Sequence, residues 1–318
     1  MKIGIVIIFC LICFHLPGQT PRVDQAKKLY EAKKFAEVIQ LLKPVDDDEK
    51  DYPAAQYYLG RVAFDKKEYD DAADYFSEAS DEDQTKAEYF TWLGNAYGNI
   101  ARDANVMRQG ILAPKMRNAW EKAITLDSKN IDARSSLIQY YTQAPGFMGG
   151  SFDKAKEMAN QIMKLNPAQG HLQMGNILVS EKKIPQAEKE FIEMVKIDPL
   201  YVTGLANFYL NQKQYDKAFS LYEEKIKQNP DDYAAIYQYG RLSALSNQRL
   251  DRGEEYLKKY MTYTPKQNEP SIAAANMRMG QIIEKKGNKA EAKKYYETAL
   301  KGDATLKDAQ DGLQRTSK

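Results

Sequence analysis

One spacing recurs along this chain and leaves few folds open to it. Gly60 and Ala72 lie twelve residues apart, and so do Gly175 and Ala187, Ala206 and Ala218, and Gly280 and Ala292. Seven residues further on stand Ala79, Met194, Lys225 and Ala299. Pro167, Pro199, Pro230 and Pro265 each follow the second small position of their unit by twelve. Self-similarity on this scale marks a chain of stacked supersecondary units, each touching mainly its neighbours. A length of 318 residues would otherwise indicate about two globular domains. Here it indicates a solenoid without a single globular core.

Each recurring position has a physical reason. A small residue lets two helices cross closely, where a larger one would push their axes apart. Tyr69, Ile184 and Tyr215 fill the space at the turn between helices. Proline ends the second helix, because it cannot continue a helix interior. The stretches QGHLQMGNILVSEKKIPQAEKEFIEMVKIDP (169–199) and AAQYYLGRVAFDKKEYDDAADYFSEA (54–79) resemble the tetratricopeptide repeat, a pair of antiparallel helices A and B. The resemblance covers nearly all of residues 19–318 and implies an all-α, right-handed superhelical solenoid. Counting the small positions gives about eight units. The tail after Ala299 has Leu306, Ala309 and Leu313 at helical spacing and reads as a C-terminal capping helix, which solenoids need over their last apolar face.

Two units break the period. Gly94 to Met116 is twenty-two residues and Ile138 to Ala155 is seventeen. The connections between helices A and B are therefore lengthened near 98–115 and 142–152. The first reads as extended helix and a turn ending at Pro114. The second holds Pro145, Gly146, Gly149 and Gly150 and reads as a loop, with Ser151 as the N-cap of the helix after it. Insertions at the same turn of adjacent repeats should lie side by side. Phe147 and Met148 at the tip of the second form a candidate docking loop.

Residues 1–18 read as a signal peptide. Lys2 precedes fourteen uncharged residues, Ile3–Leu16, too short for a membrane span of about 20 and right for an export signal. Cleavage near 18–20 would leave a periplasmic or secreted protein, with membrane contact only if the segment stays uncleaved. It would remove Cys10, Cys13 and His15, leaving one histidine, His171. A chain with one histidine and no cysteine cannot assemble the usual zinc ligands or a Cys–His or Ser–His–Asp nucleophile. No cofactor, metal or catalytic set is expected, and the chain reads as non-enzymatic. The acid clusters Asp46–Asp51 and Asp81–Gln84 lack calcium-loop spacing. A net charge of +2, from 46 basic and 44 acidic residues, argues against nucleic acid as a partner.

The resemblance also implies where a partner would bind, since helix A lines the concave groove of such repeats. The residue after each helix-A small position is Lys27, Arg61, Asn95, Gln139, Asn176, Asn207, Arg241 or Gln281. Every one can hydrogen-bond to an extended peptide. Tyr57 and Tyr237 stand one turn earlier in their helices and read as groove-facing. The leading reading is a protein-interaction scaffold of the bacterial cell envelope, binding a protein or peptide through this groove and the inserted loops. The alternative is a glycan-binding envelope protein using the groove tyrosines. An enzyme built on Asp/Glu pairs lacks a recognisable set.

Overall fold

A computed structural model describes residues 21–317. The segment read as an export signal, with both cysteines, lies outside the described residues. Among the described residues all regular structure is helical, seventeen α-helices and two short 3₁₀ turns. None of these helices is long and apolar enough to cross a membrane. The chain divides into two compact bodies, one ending at Leu165 and one starting at Asn166.

The N-terminal body holds four helix pairs: α1 (Pro21–Glu31) with α2 (Phe35–Leu42), α3 (Tyr52–Asp65) with α4 (Tyr69–Glu82), α5 (Ala87–Asp103) with α6 (Val106–Leu126), and α7 (Ile131–Gln143) with α8 (Phe152–Leu165). The C-terminal body holds four more: α9 (Pro167–Ser180) with α10 (Ile184–Ile197), α11 (Val202–Asn211) with α12 (Tyr215–Gln228), α13 (Tyr233–Ser246) with α14 (Leu250–Met261), and α15 (Ile272–Lys285) with α16 (Lys289–Gly302). The last helix, α17 (Lys307–Thr316), covers α15 and α16. First helices also touch first helices of the next pair, α1 with α3, α3 with α5, α5 with α7, α11 with α13 and α13 with α15. That pattern makes each body a helical-repeat solenoid.

The small residues sit where helix crossings demand them. A methyl group added at Gly60 would lie 2.8 Å from the Phe76 ring, at Gly175 3.0 Å from Phe191, and at Gly280 2.7 Å from Tyr296. In all three the large partner follows the glycine by sixteen residues. Gly94 meets Trp120 in the same way, at 2.5 Å, but twenty-six residues on. The ten inserted residues lengthen the pair and leave its packing register intact.

The insertion itself differs from the sequence expectation. The break comes at Ala104–Asn105, and Pro114 lies inside α6. Asn105 caps α6, its side chain accepting from the Arg108 N–H at 3.0 Å. Pro114 cannot donate to the Gly110 carbonyl, one turn earlier. Gly110 is exposed with open space around it, so water can satisfy that carbonyl and the helix continues.

Four of the other turns between paired helices use an unexpected residue type. Lys33, Lys67, Lys182 and Lys213 hold φ of 57, 66, 62 and 58°, a left-handed conformation that favours glycine. In the last pair the place is taken by Gly287, φ 89°. The geometry caps the preceding helix: Lys67 N–H donates to the Phe64 carbonyl and Glu68 N–H to that of Ala63, both at 2.9 Å.

Most tyrosines pack within these pairs, and this sets how the protein responds to alkali. Burial pushes the hydroxyls of Tyr30, Tyr58, Tyr141, Tyr209 and Tyr260 up to about 12. Unfolded tyrosine ionises near 10. The unfolded state therefore loses protons first as pH rises. Stability should be fully present below pH 10 and fall progressively between 10 and 12. Urea midpoints measured across that range, alongside ultraviolet titration of tyrosinate, check this. A midpoint flat to pH 12 would contradict it.

Candidate binding cleft

The two insertions meet in the N-terminal body. α6 touches the 3₁₀ turn Gly146–Met148 that follows α7. Between α5, α6, α7 and this turn lies a cleft of about 560 Å³, within the range of ligand-binding cavities. Phe64, Trp92, Ala113, Met116, Trp120 and Met148 form its apolar lining. Asn95, Asn99, Gln109, Gln139 and Gln143 supply amides, and Arg102 is the one charged residue in the lining.

Each wall is held by a specific contact. Trp120 is 5% exposed, and its indole N–H donates to Asn95 Oδ1 at 3.0 Å. Ser136 of α7 donates to the same oxygen at 3.1 Å, so one amide ties α5, α6 and α7 together. Gln109 Nε2 donates to the Ala101 carbonyl at 3.1 Å, pinning the start of α6 to the end of α5. Trp92 lies under the Arg61 guanidinium, 3.9 Å from its ring centre, and edge-on to Phe64 at 5.1 Å.

The loop closing the cleft is tightly bonded. Ser151 N–H donates to the Tyr141 carbonyl at 2.8 Å and Gly150 N–H to that of Pro145 at 3.1 Å. The Tyr140 hydroxyl donates to the Met148 carbonyl. Ser151 caps α8, its hydroxyl accepting from the Lys154 N–H at 3.3 Å. Gly149 takes φ 98°. At Gly150 an added methyl would fall 1.8 Å from the Ala144 carbonyl oxygen, which is backbone and cannot swing aside. Gly150→Ala should therefore break the loop's closing bonds at a cost of about 1–3 kcal/mol. Limited proteolysis should cut near residues 144–151 much faster than in the parent. An unchanged digestion rate would contradict the geometry.

The groove ladder divides into residues already engaged and residues left open. Asn95 and Gln139 come together in the cleft lining. Arg61 does not face a ligand: it donates to the hydroxyls of Tyr57 at 2.7 Å and Tyr30 at 3.0 Å and stacks on Trp92. Arg241 donates to Asn207 Oδ1 at 3.0 Å, so two consecutive rungs bond each other. Gln281 accepts from Arg278 at 2.9 Å and donates to Asp308 of α17 at 3.4 Å. Asn176 is exposed on α9.

Tyr57 and Tyr237 correct the sequence reading. Each is only 5% exposed. Tyr57 packs against Tyr58, Phe76 and Tyr89, and Tyr237 against Tyr260. A residue one turn before the ladder points at neighbouring helices of the stack and cannot offer its face to a sugar. These two rings, on which a glycan ligand would have stacked, are thus core. The docking loop is split: Phe147 is 82% exposed, whereas Met148 is half-buried and lines the cleft. Val106, Met107 and Ile111 of α6 are also exposed, an apolar ridge that sequence reasoning missed because it placed a turn there. His171, the one histidine of the described residues, is half-buried with Nδ1 2.7 Å from Glu190.

Two stretches, residues 29–94 and 273–304, match models of the tetratricopeptide repeat. Solved structures with similar folds include a tetratricopeptide repeat protein from Parabacteroides merdae, 17% identical over 90% of this chain and 100% of that one, TM-score 0.49. The C-terminal part of a repeat protein from Cytophaga hutchinsonii is 16% identical over 92% of this chain and 99% of that one, TM-score 0.48. YrrB, described as a TPR protein with an unusual peptide-binding site, is 16% identical over 59% of this chain and 90% of that one, TM-score 0.46.

Proposed function

Since the chain is a tetratricopeptide repeat protein, we propose that it is a non-enzymatic interaction scaffold that holds an extended segment of a partner protein in the cleft of its N-terminal body. The observation that carries this reading is the cleft itself, about 560 Å³, walled by aromatic and apolar side chains with amides around them. Apolar walls with a few placed polar groups are what a binding pocket requires. Amides can pair with both the N–H and the carbonyl of a passing main chain. Phe147, exposed beside Met148 of the lining, adds apolar surface that such a partner can cover. We further infer from the N-terminal sequence that the scaffold works in the bacterial envelope after cleavage near residues 18–20. Sequencing the mature N-terminus from envelope fractions tests that part.

A photo-crosslinking residue at Gln139 tests the cleft. The same probe at exposed Lys227 of α12 measures background. The expected result is a discrete crosslinked protein from position 139 that is missing from position 227. Identical products from both positions would overturn the proposal.

A further inference from the structure

The cleft has a charge asymmetry that narrows what it can hold. Arg102 is exposed in the last turn of α5 and is the single charged group among the lining residues. Every other arginine of the N-terminal body is engaged. Arg22 pairs with Glu49, Arg61 donates to Tyr57 and Tyr30, and Arg108 pairs with Asp70. Arg117 contacts Glu121, and Arg134 donates to Gln161. Among the described residues no carboxylate reaches Arg102. A helix end favours a cation by its dipole, which accounts for a basic residue at that place. It does not account for a guanidinium in the lining of the cleft with no anion beside it.

We infer that the cleft selects an acidic segment within a partner chain: a bulky apolar side chain packs on the wall that Met116 and Trp120 form, and a neighbouring Asp or Glu pairs with Arg102. This rests on the cleft being the binding site and adds the chemistry of its ligand. The walls require the apolar residue, since Trp120, Met116 and Ala113 offer no polar atom to the cavity other than the indole N–H already given to Asn95. The exposed guanidinium favours an anion, because it presents fixed donors matched to a carboxylate and cannot be deprotonated. The side chains of Gln139 and Gln143 stand ready for the main chain on either side. An internal segment, with chain running out of the cleft both ways, uses both amides.

Both tryptophans of the chain line this cleft, so their emission reports on its occupancy. Random nonapeptides, displayed with both ends tethered, are selected on the full chain. Enriched sequences free of tryptophan are then synthesised with both ends blocked and titrated by fluorescence. The expected motif is Asp or Glu beside a bulky apolar residue. Affinity should fall about tenfold in Arg102→Gln, and equally when the peptide's Asp becomes Asn, as loss of a charge-assisted bond implies. Arg102→Gln should keep the parent's circular dichroism and urea midpoint, since the side chain holds nothing in place. A motif that shifts tryptophan emission but lacks a carboxylate, or binds Arg102→Gln undiminished, overturns the acidic ligand and leaves the cleft standing. Enriched peptides that leave the emission unchanged overturn both.

Discussion

Alanine in place of Tyr296 should cost about 4 kcal/mol and open the C-terminal end of the chain. The ring is fully buried in α16, between two glycines. A methyl at Gly280 would lie 2.7 Å from it and one at Gly312 2.3 Å. Its hydroxyl donates to Glu284 at 2.6 Å, the carboxylate that Arg315 of α17 also holds, through two bonds of 2.9 Å. Tyr296 therefore joins α15, α16 and α17 through packing and through one shared carboxylate. Removing it leaves a cavity that three helices bound. Interactions in a repeat array are between neighbours, so the damage should stay local. Amide exchange in α16 and α17 should accelerate about a thousandfold, the equivalent of that energy, while α3 and α4 exchange as before. Tyr296→Phe keeps the packing and loses only the hydrogen bond, for about 1 kcal/mol. Exchange in α16 and α17 unchanged by the alanine would contradict this assignment.

Trp120→Ala should cost about 3–5 kcal/mol in the N-terminal body and abolish the cleft's binding. Trp120 is the counterpart, in the lengthened third pair, of Phe76, Phe191 and Tyr296 in theirs. It fills the crossing opened by Gly94 and forms one wall of the cavity. Truncation also withdraws the indole donor and leaves Asn95 Oδ1 to Ser136 alone. Urea unfolding followed by circular dichroism measures the loss. A change under about 1 kcal/mol would mean that the ring is dispensable to the packing. Trp120→Phe separates the effects: it keeps most of the buried area, so the fold should survive while the Asn95 bond and the cavity's shape change.

The fold was legible in the sequence because helix crossings impose a local rule. A glycine at position i and a large side chain sixteen later recur with the repeat, and an insertion of ten residues in the third pair moves Trp120 by that amount without breaking the rule. The meeting of the two insertions was legible for the same reason, since equivalent turns of stacked pairs are neighbours. Position within the insertion was not. Pro114 reads as a stop, yet α6 runs through it, with an exposed Gly110 one turn earlier. The ladder was legible as a row of polar residues but not as a binding surface. Whether Arg241 faces a ligand or Asn207 depends on the spacing of adjacent pairs, which no single repeat encodes. Tyr57 and Tyr237 failed for a related reason: one turn along helix A the side chain meets the rings of neighbouring helices, and that contact lies outside the repeat unit that was read. Arg102 carried no signal in the sequence beyond a basic residue near a helix end. Its lack of a partner is a property of the folded body.

The central claim is that partner chains bind in the cleft between α5, α6 and α7. Hydrogen–deuterium exchange with the crosslinked partner's segment bound tests it most directly. The account predicts added protection concentrated in residues 92–148, across Asn95, Gln139 and the loop at Met148. Protection confined to α9–α17, with α5–α7 exchanging as in the free protein, would contradict it.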